Sequence, residues 1–112
     1  MTRVLVTALG MAVALAMGTS AYAQDKVEKG AKLYTEQKCN LCHSIAGKGN
    51  AKGSLDGVGT KLKEAEIREW IVDPKGMTAK TKAERKPFMK AYPNLAKDDV
   101  EALVAYMMSL KK

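Results

Sequence analysis

Cys39-Asn40-Leu41-Cys42-His43 is the stretch of sequence that decides the fold of this chain. It contains both cysteines of the 112 residues and, directly after the second cysteine, the only histidine. Two thiols one helical turn apart can each bond to the same flat ring, and the adjacent imidazole can ligate a metal at its centre. The spacing is typical of covalent c-type haem attachment, with Cys39 and Cys42 as thioether residues and His43 as an axial iron ligand.

Three other interpretations of the two cysteines are a redox dithiol of thioredoxin type, a disulfide and half of a zinc site. A thioredoxin motif is expected near a βαβ pattern, which the sequence lacks. Tetrahedral zinc needs a second pair of ligands, and the chain has no further Cys or His to supply it. Haem attachment is therefore the leading interpretation.

The N-terminus has the pattern of a cleavable secretory signal over residues 1–23. Arg3 supplies a positive charge, residues 4–17 form an apolar run that is short for a membrane span, and Ala21-Tyr22-Ala23 offers small residues to a signal peptidase. We predict cleavage after Ala23 and a single domain over residues 24–112, exported to a bacterial periplasm without stable membrane insertion. An uncleaved membrane anchor is the alternative.

The chain is strongly basic, with 19 Lys and Arg against 12 Asp and Glu and a formal net charge of +7. This excess of positive charge favours a redox partner protein with an acidic docking surface. The alternative is that the charge only keeps the protein soluble. Nucleic acid is not expected, because the lysines are dispersed and arginine is scarce. We expect a monomer. The candidate docking residues are Lys38, Lys48, Lys52, Lys86 and Lys90.

Hydrophobic periodicity predicts a helix at each end of the domain. The first covers residues 25–38 and has a narrow apolar stripe that includes Gly30 and Tyr34. The second covers residues 97–110 and has a wider apolar face. A glycine within a stripe permits a close approach of two helices, so we expect these two to cross near Gly30, with Tyr34 and Tyr106 close together.

The middle of the domain is less regular. Five of the nine glycines lie within residues 47–59, which predicts a loop. Residues 67–71 predict a short helix that Asp73-Pro74 ends. Residues 76–90 are rich in lysine and poorly periodic, so we predict a loop there with at most one helical turn.

A sixth ligand to the iron cannot be a second histidine, which leaves methionine, lysine or an open position. Met107 lies on the apolar stripe of the last helix, where it is expected to fill the core, and Met108 lies on another face. Met77 and Met89 both fall in the predicted loop. We favour Met89, because the preceding Pro87-Phe88 can fix its side chain against a flat ring, and Met77, lysine and open coordination remain alternatives.

The sequence resembles the class I c-type cytochromes over nearly all of residues 25–112. The residues that carry the resemblance are Gly30 with Tyr34, Cys39 to His43, Gly53 to Gly59, Trp70-Ile71 before Asp73-Pro74, Met89 to Tyr92 and Ala102 to Tyr106. The resemblance implies an all-α, haem-wrapping fold with crossed N- and C-terminal helices and one haem c that has an exposed edge.

The resemblance also implies roles for single residues. Met89 would be the distal iron ligand. Trp70, Ser54 and Leu55 would line the haem crevice, with the Trp70 indole able to donate to a propionate; a plain core aromatic is the alternative for Trp70.

Two departures from the family pattern affect the iron ligands. The family usually has a proline after the glycine whose carbonyl accepts from the proximal imidazole, and here Ser54 follows Gly53. The distal methionine is often followed by proline, and here Lys90 follows Met89. A looser distal loop is the expected consequence.

These observations predict a soluble carrier of single electrons, because a methionine ligand favours ferrous iron and fills the sixth position. A peroxidase-like haem enzyme would need an open iron site with distal acid and base groups, and the chain has no second histidine to act as such a group. A redox or gas sensor with a labile sixth ligand is the third possibility.

Overall fold

The computed structural model describes residues 23–112. Residues 1–22 hold nearly all of the predicted signal and lie outside the described residues, so cleavage after Ala23 stays a prediction. Within residues 23–112, no helix has the length and apolar character needed to cross a membrane. The elements are α1 (helical residues 23–36), a 3-10 turn (Cys39–Leu41), β1 (Ser44–Ile45), β2 (Lys48–Gly49), a second 3-10 turn (Ala51–Gly53), α2 (Val58–Lys61), α3 (Glu64–Val72), α4 (Pro74–Thr81) and α5 (Lys97–Ser109).

The fold is mostly helical, and its hydrophobic core lies between α1, α3 and α5. The helix predicted over residues 25–38 ends about two residues early, because Lys38 adopts a left-handed conformation with φ of 58°. The last helix ends one residue before its predicted limit. The buried core residues are Leu33, Tyr34, Ile67, Ile71, Ala102, Leu103, Val104 and Met107.

Helix α1 contacts α5 at Gly30. A Cβ built on Gly30 would overlap the carbonyl oxygen of Ala102 and lie 2.6 Å from the Cβ of Tyr106. The rings of Tyr34 and Tyr106 meet edge to face, with centroids 5.9 Å apart and an interplanar angle of 68°. At this position a side chain would push the two helices apart, which explains a glycine on the buried stripe despite its poor helix propensity.

Helix α3 is joined to α5 by apolar contacts and by an ion pair. Ile67 and Ile71 are buried in the core. Arg68 binds Glu101 through two hydrogen bonds of 2.7 Å each and Glu64 through one of 3.1 Å. Arg68 lowers the pKa of the Glu101 carboxyl, because the guanidinium donates to its ionised form.

The prediction of a loop over residues 76–90 is wrong for its first part, which belongs to α4. Asp73 does end α3, but its side chain also accepts a hydrogen bond of 3.1 Å from the Gly76 N–H and so caps the next helix. Pro74 occupies the first position of α4, where its missing N–H costs nothing. One Asp-Pro pair therefore ends one helix and begins another.

The loop predicted over residues 47–59 is wrong in part, because this segment contains β2, the second 3-10 turn and the start of α2. Strands β1 and β2 form an antiparallel hairpin in which Ser44 faces Gly49 and Ile45 faces Lys48. The all-α prediction did not include these strands, which have two residues each. Both residues of the turn have positive φ, as a tight hairpin requires.

Candidate functional site

Cys39 begins the 3-10 turn Cys39–Leu41 shortly after α1, and Cys42 directly follows this turn. The His43 N–H donates to the Cys39 carbonyl over 2.9 Å, which closes the turn. Cys39 is half-buried, Cys42 is exposed, and no disulfide joins them. Burial raises the pKa of the Cys39 thiol. Residues 39–43 are the attachment segment.

The His43 imidazole is held in one tautomer by a backbone carbonyl. Its Nδ1 lies 2.9 Å from the Gly53 oxygen. A carbonyl oxygen only accepts, so Nδ1 carries the hydrogen and Nε2 keeps its lone pair for a metal. Burial lowers the pKa of His43 and the nearby positive charge of Arg85 acts in the same direction, whereas the hydrogen bond with Gly53 raises it. The net lowering favours the neutral ring at pH 7, and the Gly53 carbonyl orients it, as an iron ligand requires.

The Gly53 carbonyl is positioned without the proline that the family usually has. Ser54 has φ of −56° and ψ of 130°. Proline adopts a similar φ. The Ser54 hydroxyl accepts from the Asp56 N–H over 3.2 Å, and the next residue, Leu55, donates its N–H to the Ser44 carbonyl over 2.8 Å. Local hydrogen bonds thus hold the segment in place of the proline ring.

Asn50 closes the attachment segment from the other side, a role that sequence analysis did not identify. Its N–H lies 3.0 Å from the His43 carbonyl oxygen and 3.2 Å from that of Asn40. Its side-chain amide donates to the Leu41 carbonyl over 3.2 Å. Asparagine in a glycine-rich loop often hydrogen-bonds nearby backbone, which is the only signal that pointed here.

Two residues of the segment between α4 and α5 lie near the attachment segment. Arg85 donates from Nη2 to the Cys42 carbonyl oxygen over 2.6 Å. Tyr92 is half-buried and lies near the Cys39 thiol. Burial, with the Cys39 thiol nearby, raises the pKa of Tyr92 to about 12. Sequence analysis missed Arg85 entirely and included Tyr92 only as part of the family resemblance.

The methionines of residues 23–112 divide into helix and loop residues. Met77 lies in α4 and is buried at 4% exposure, so its predicted place in a loop is wrong. Met107 is buried in the core, as predicted, and Met108 is half-buried in α5. Met89 is half-buried and lies outside every helix. Among these four, Met89 alone lies in a loop.

The three crevice residues implied by the family resemblance have different environments. Trp70 is half-buried in α3, next to the core residue Ile71. Leu55 is half-buried and packs against the core. Ser54 is exposed. Their contacts with a haem stay predictions.

The donor set of the attachment segment fits a covalently bound haem iron. Two thiols lie three residues apart, and the imidazole after them is neutral with Nε2 available. The Gly53 carbonyl, which accepts from this imidazole, is of the kind that fixes histidine ligands in metal sites.

Comparison with known proteins agrees with this arrangement. The family model described as Cytochrome c matches residues 27–111. Cytochrome c oxidase subunit 2 of Alkalihalophilus pseudofirmus is 30% identical over 110 residues, and the match covers 84% of this chain. The chain spans about 30% of the length of that curated relative. No solved structure matches the chain.

Proposed function

This chain belongs to the cytochrome c family, and from that premise we propose that it is a soluble carrier of single electrons with one covalently attached haem c. Cys39 and Cys42 would hold the haem through two thioether bonds, and His43 would ligate its iron. When bound, haem iron supplies a reversible one-electron couple between its ferrous and ferric states. The chain itself holds this group, orients its ligands and limits the access of water.

The single observation that carries the proposal is the 2.9 Å bond between His43 Nδ1 and the Gly53 oxygen. A redox dithiol has no need of a neutral, oriented imidazole directly after its second cysteine. An iron ligand needs both properties, because the metal binds the deprotonated nitrogen and the hydrogen on the other nitrogen fixes the ring.

Met89 is the proposed second axial ligand. It is the loop methionine among residues 23–112, whereas Met77 is buried within α4 and Met107 within the core. A thioether sulfur stabilises ferrous iron and raises the reduction potential relative to a nitrogen or thiolate ligand. With His43 and Met89 as its two protein ligands, a bound haem iron would have no free position for a substrate. This ligand set favours electron transfer over a peroxidase-like activity or gas sensing.

The remaining parts of the proposal concern the chain around the haem. The contact of Gly30 with Ala102 supports a crossing of α1 and α5. Trp70, Ser54 and Leu55 are proposed to line the crevice.

We propose a periplasmic monomer that exchanges electrons with proteins that have acidic docking surfaces. The net charge of +7 and the predicted signal over residues 1–23 support this proposal. The related protein is by name a subunit of cytochrome c oxidase, which supports an electron-transfer setting for this chain as well. The proposed docking residues Lys38, Lys48, Lys52, Lys86 and Lys90 are all exposed.

The axial ligand is tested by comparing the ferric spectra of Met89→Ala and Met77→Ala. The weak far-red absorption band that reports a sulfur ligand on iron should disappear in Met89→Ala and persist in Met77→Ala. The reverse pattern would assign the ligand to Met77, and a wild-type protein without the band would exclude methionine.

The carrier function is tested by adding carbon monoxide to the reduced protein at neutral pH. No spectral change is expected for the wild type, because Met89 occupies the sixth position. Met89→Ala should bind carbon monoxide readily and so shows that the gas reaches the iron. Rapid binding to the wild type would favour a haem enzyme or a sensor instead.

A further inference from the structure

Asn50 lies between the two groups that hold the His43 imidazole. On one side, its N–H donates to the His43 carbonyl oxygen over 3.0 Å and so fixes the backbone that carries the ring. On the other side, its carbonyl oxygen accepts from the Gly53 N–H over 3.1 Å. The Gly53 carbonyl in turn accepts from His43 Nδ1 over 2.9 Å. These bonds run from the His43 backbone through Asn50 and Gly53 to the His43 ring and form one closed circuit.

The Asn50 side chain adds two further bonds to this circuit. Its amide nitrogen donates to the Leu41 carbonyl oxygen over 3.2 Å, inside the attachment segment. Its Oδ1 accepts from the Lys52 N–H over 3.0 Å and so caps the 3-10 turn that ends at Gly53. A carboxamide offers a donor and an acceptor on one short side chain. Asn50 therefore joins the segment that carries the ring to the turn that carries its acceptor.

Two glycines bring the two segments close enough for one side chain to join them. A Cβ built on Gly49 would overlap the His43 carbonyl oxygen, and a Cβ built on Gly53 would overlap the Cys42 carbonyl oxygen. Asn50 itself is half-buried. The chain on both sides of Asn50 is therefore packed directly against the attachment segment.

We infer that the Asn50 side chain sets the strength of the hydrogen bond between His43 Nδ1 and the Gly53 oxygen, and through that bond the electron donation of His43 to a haem iron. The inference rests on the proposed function, because it takes His43 as an axial ligand. Asn50 is a positioning residue, since it acts through Gly53 and the His43 backbone and not on the iron.

The direction of the effect follows from the chemistry of the imidazole. A hydrogen bond from Nδ1 makes the ring a more basic ligand at Nε2. A more basic ligand stabilises ferric iron more than ferrous iron, because the ferric ion carries the larger positive charge. Loss of the Asn50 side-chain bonds should lengthen the contact between Nδ1 and the Gly53 oxygen, weaken the ligand and so raise the reduction potential.

The test compares Asn50→Ala with the wild-type holoprotein in two measurements. Redox titration should show a higher reduction potential in the variant. At a fixed mediator potential, its ratio of ferrous to ferric protein should rise by about two- to twelve-fold, the equivalent of one net hydrogen bond. Proton NMR of the reduced protein should show faster exchange of the His43 Nδ1 hydrogen with deuterium, because the bond opens more often.

Asn40→Ala is the matched control, since it makes the same change of side chain within the attachment segment. Asn40 is exposed, and its contact with Asn50 is made by its backbone carbonyl, which the substitution keeps. This variant should have the wild-type potential and exchange rate. Asn50→Ser keeps an oxygen that can cap the turn but loses the amide donor to Leu41. Both of its values should lie between those of Asn50→Ala and the wild type.

The outcomes separate this inference from the proposed function. A wild type that holds no covalently attached haem, or whose haem is not reversibly reduced, overturns the proposed function and the inference with it. A reversible couple together with wild-type potential and exchange rate in Asn50→Ala overturns the inference alone, even where the variant is less stable to heat. A lower potential in Asn50→Ala, or an equal rise in Asn40→Ala, also overturns it.

Asn50→Ser keeps the test decisive if Asn50→Ala yields no holoprotein. Serine retains the cap of the turn that ends at Gly53, so the bond with Leu41 is the one that is lost. A higher potential with faster Nδ1 exchange in Asn50→Ser would then support the inference. Wild-type values in both measurements would overturn it.

Discussion

At the scale of single residues, backbone carbonyls organise the attachment segment. The Gly53 carbonyl accepts from His43, and the Cys42 carbonyl accepts from Arg85. Backbone groups can hold a side chain in one orientation only where the backbone itself is fixed. The conformation of Ser54, which follows Gly53, is therefore important for the iron ligand.

Ser54→Pro is predicted to stabilise the protein. The native φ of −56° already suits proline, and the Ser54 N–H makes no backbone hydrogen bond within the described residues. The proline ring restricts the unfolded chain, which should raise the free energy of unfolding by about 0.4–1 kcal/mol. Loss of the hydrogen bond between the Ser54 hydroxyl and the Asp56 N–H offsets part of this gain. Urea denaturation of the holoprotein measures the change.

The matched control for this prediction is Ser54→Ala, which removes the hydroxyl without adding a ring. Ser54→Pro should be the more stable of the two variants, with the same Soret spectrum. A proline variant less stable than the alanine variant would show that the native conformation does not suit a proline at this position.

At the scale of elements, α3 and α5 are held together by charge as well as by apolar packing. Arg68 of α3 makes two hydrogen bonds with Glu101 of α5, both partly buried. Bidentate ion pairs between arginine and a carboxylate are stronger than single hydrogen bonds at the surface. Their contribution depends on the ionised state of Glu101.

Glu101→Gln is predicted to lower stability at pH 7 and to lose this effect in acid. Arg68 lowers the pKa of Glu101 from 4.5 in the folded state, so the pair contributes fully above pH 4.5. That contribution is lost as the pH falls through the lower folded pKa, where the wild-type carboxyl is protonated. The urea midpoints of the wild type and Glu101→Gln should therefore differ at pH 7 and converge in acid.

Glu64→Gln provides the control for the pair. Glu64 contacts the same guanidinium over 3.1 Å, but its side chain is 60% exposed. Its removal should have a smaller effect at pH 7. An equal loss in both variants would mean that the contact between α3 and α5 has no special role.

The elements also show the limit of local patterns. Periodicity located the two terminal helices within about two residues, whereas α3 begins at Glu64, three residues before its predicted start. Each of these helices has an apolar face of its own. Helix α4 was missed, since it is short and has little apolar periodicity. Its start depends on Asp73, which both ends α3 and caps α4. This double role is visible only in the three-dimensional structure.

At the scale of the whole molecule, the polypeptide core is small. It consists of a single cluster between α1, α3 and α5, whereas Leu41 and Phe88 are more than half exposed. A domain of this size buries a limited apolar area without a bound group. The covalent haem is therefore expected to contribute much of the stability.

The Cys39→Ala/Cys42→Ala double variant is predicted to be largely unfolded. Without thioether bonds the chain loses both the apolar haem and the cross-link that restricts its unfolded state. Far-ultraviolet circular dichroism should show a large loss of helix. Leu41→Ala, in the same segment at a position 67% exposed, should retain haem and helix. Native helix content in the double variant would contradict the prediction.

The sequence by itself determined the attachment residues Cys39, Cys42 and His43, because these residues are contiguous and their chemistry follows from their spacing. It also determined the helical class of the fold, since amphipathic periodicity is a local property. The family resemblance implied a role for the Gly53 carbonyl, and only the tertiary structure decided that Asn50 and Arg85 also hold the site. They act through backbone carbonyls and single polar contacts between segments distant along the chain, and no periodic pattern marks such contacts in a sequence.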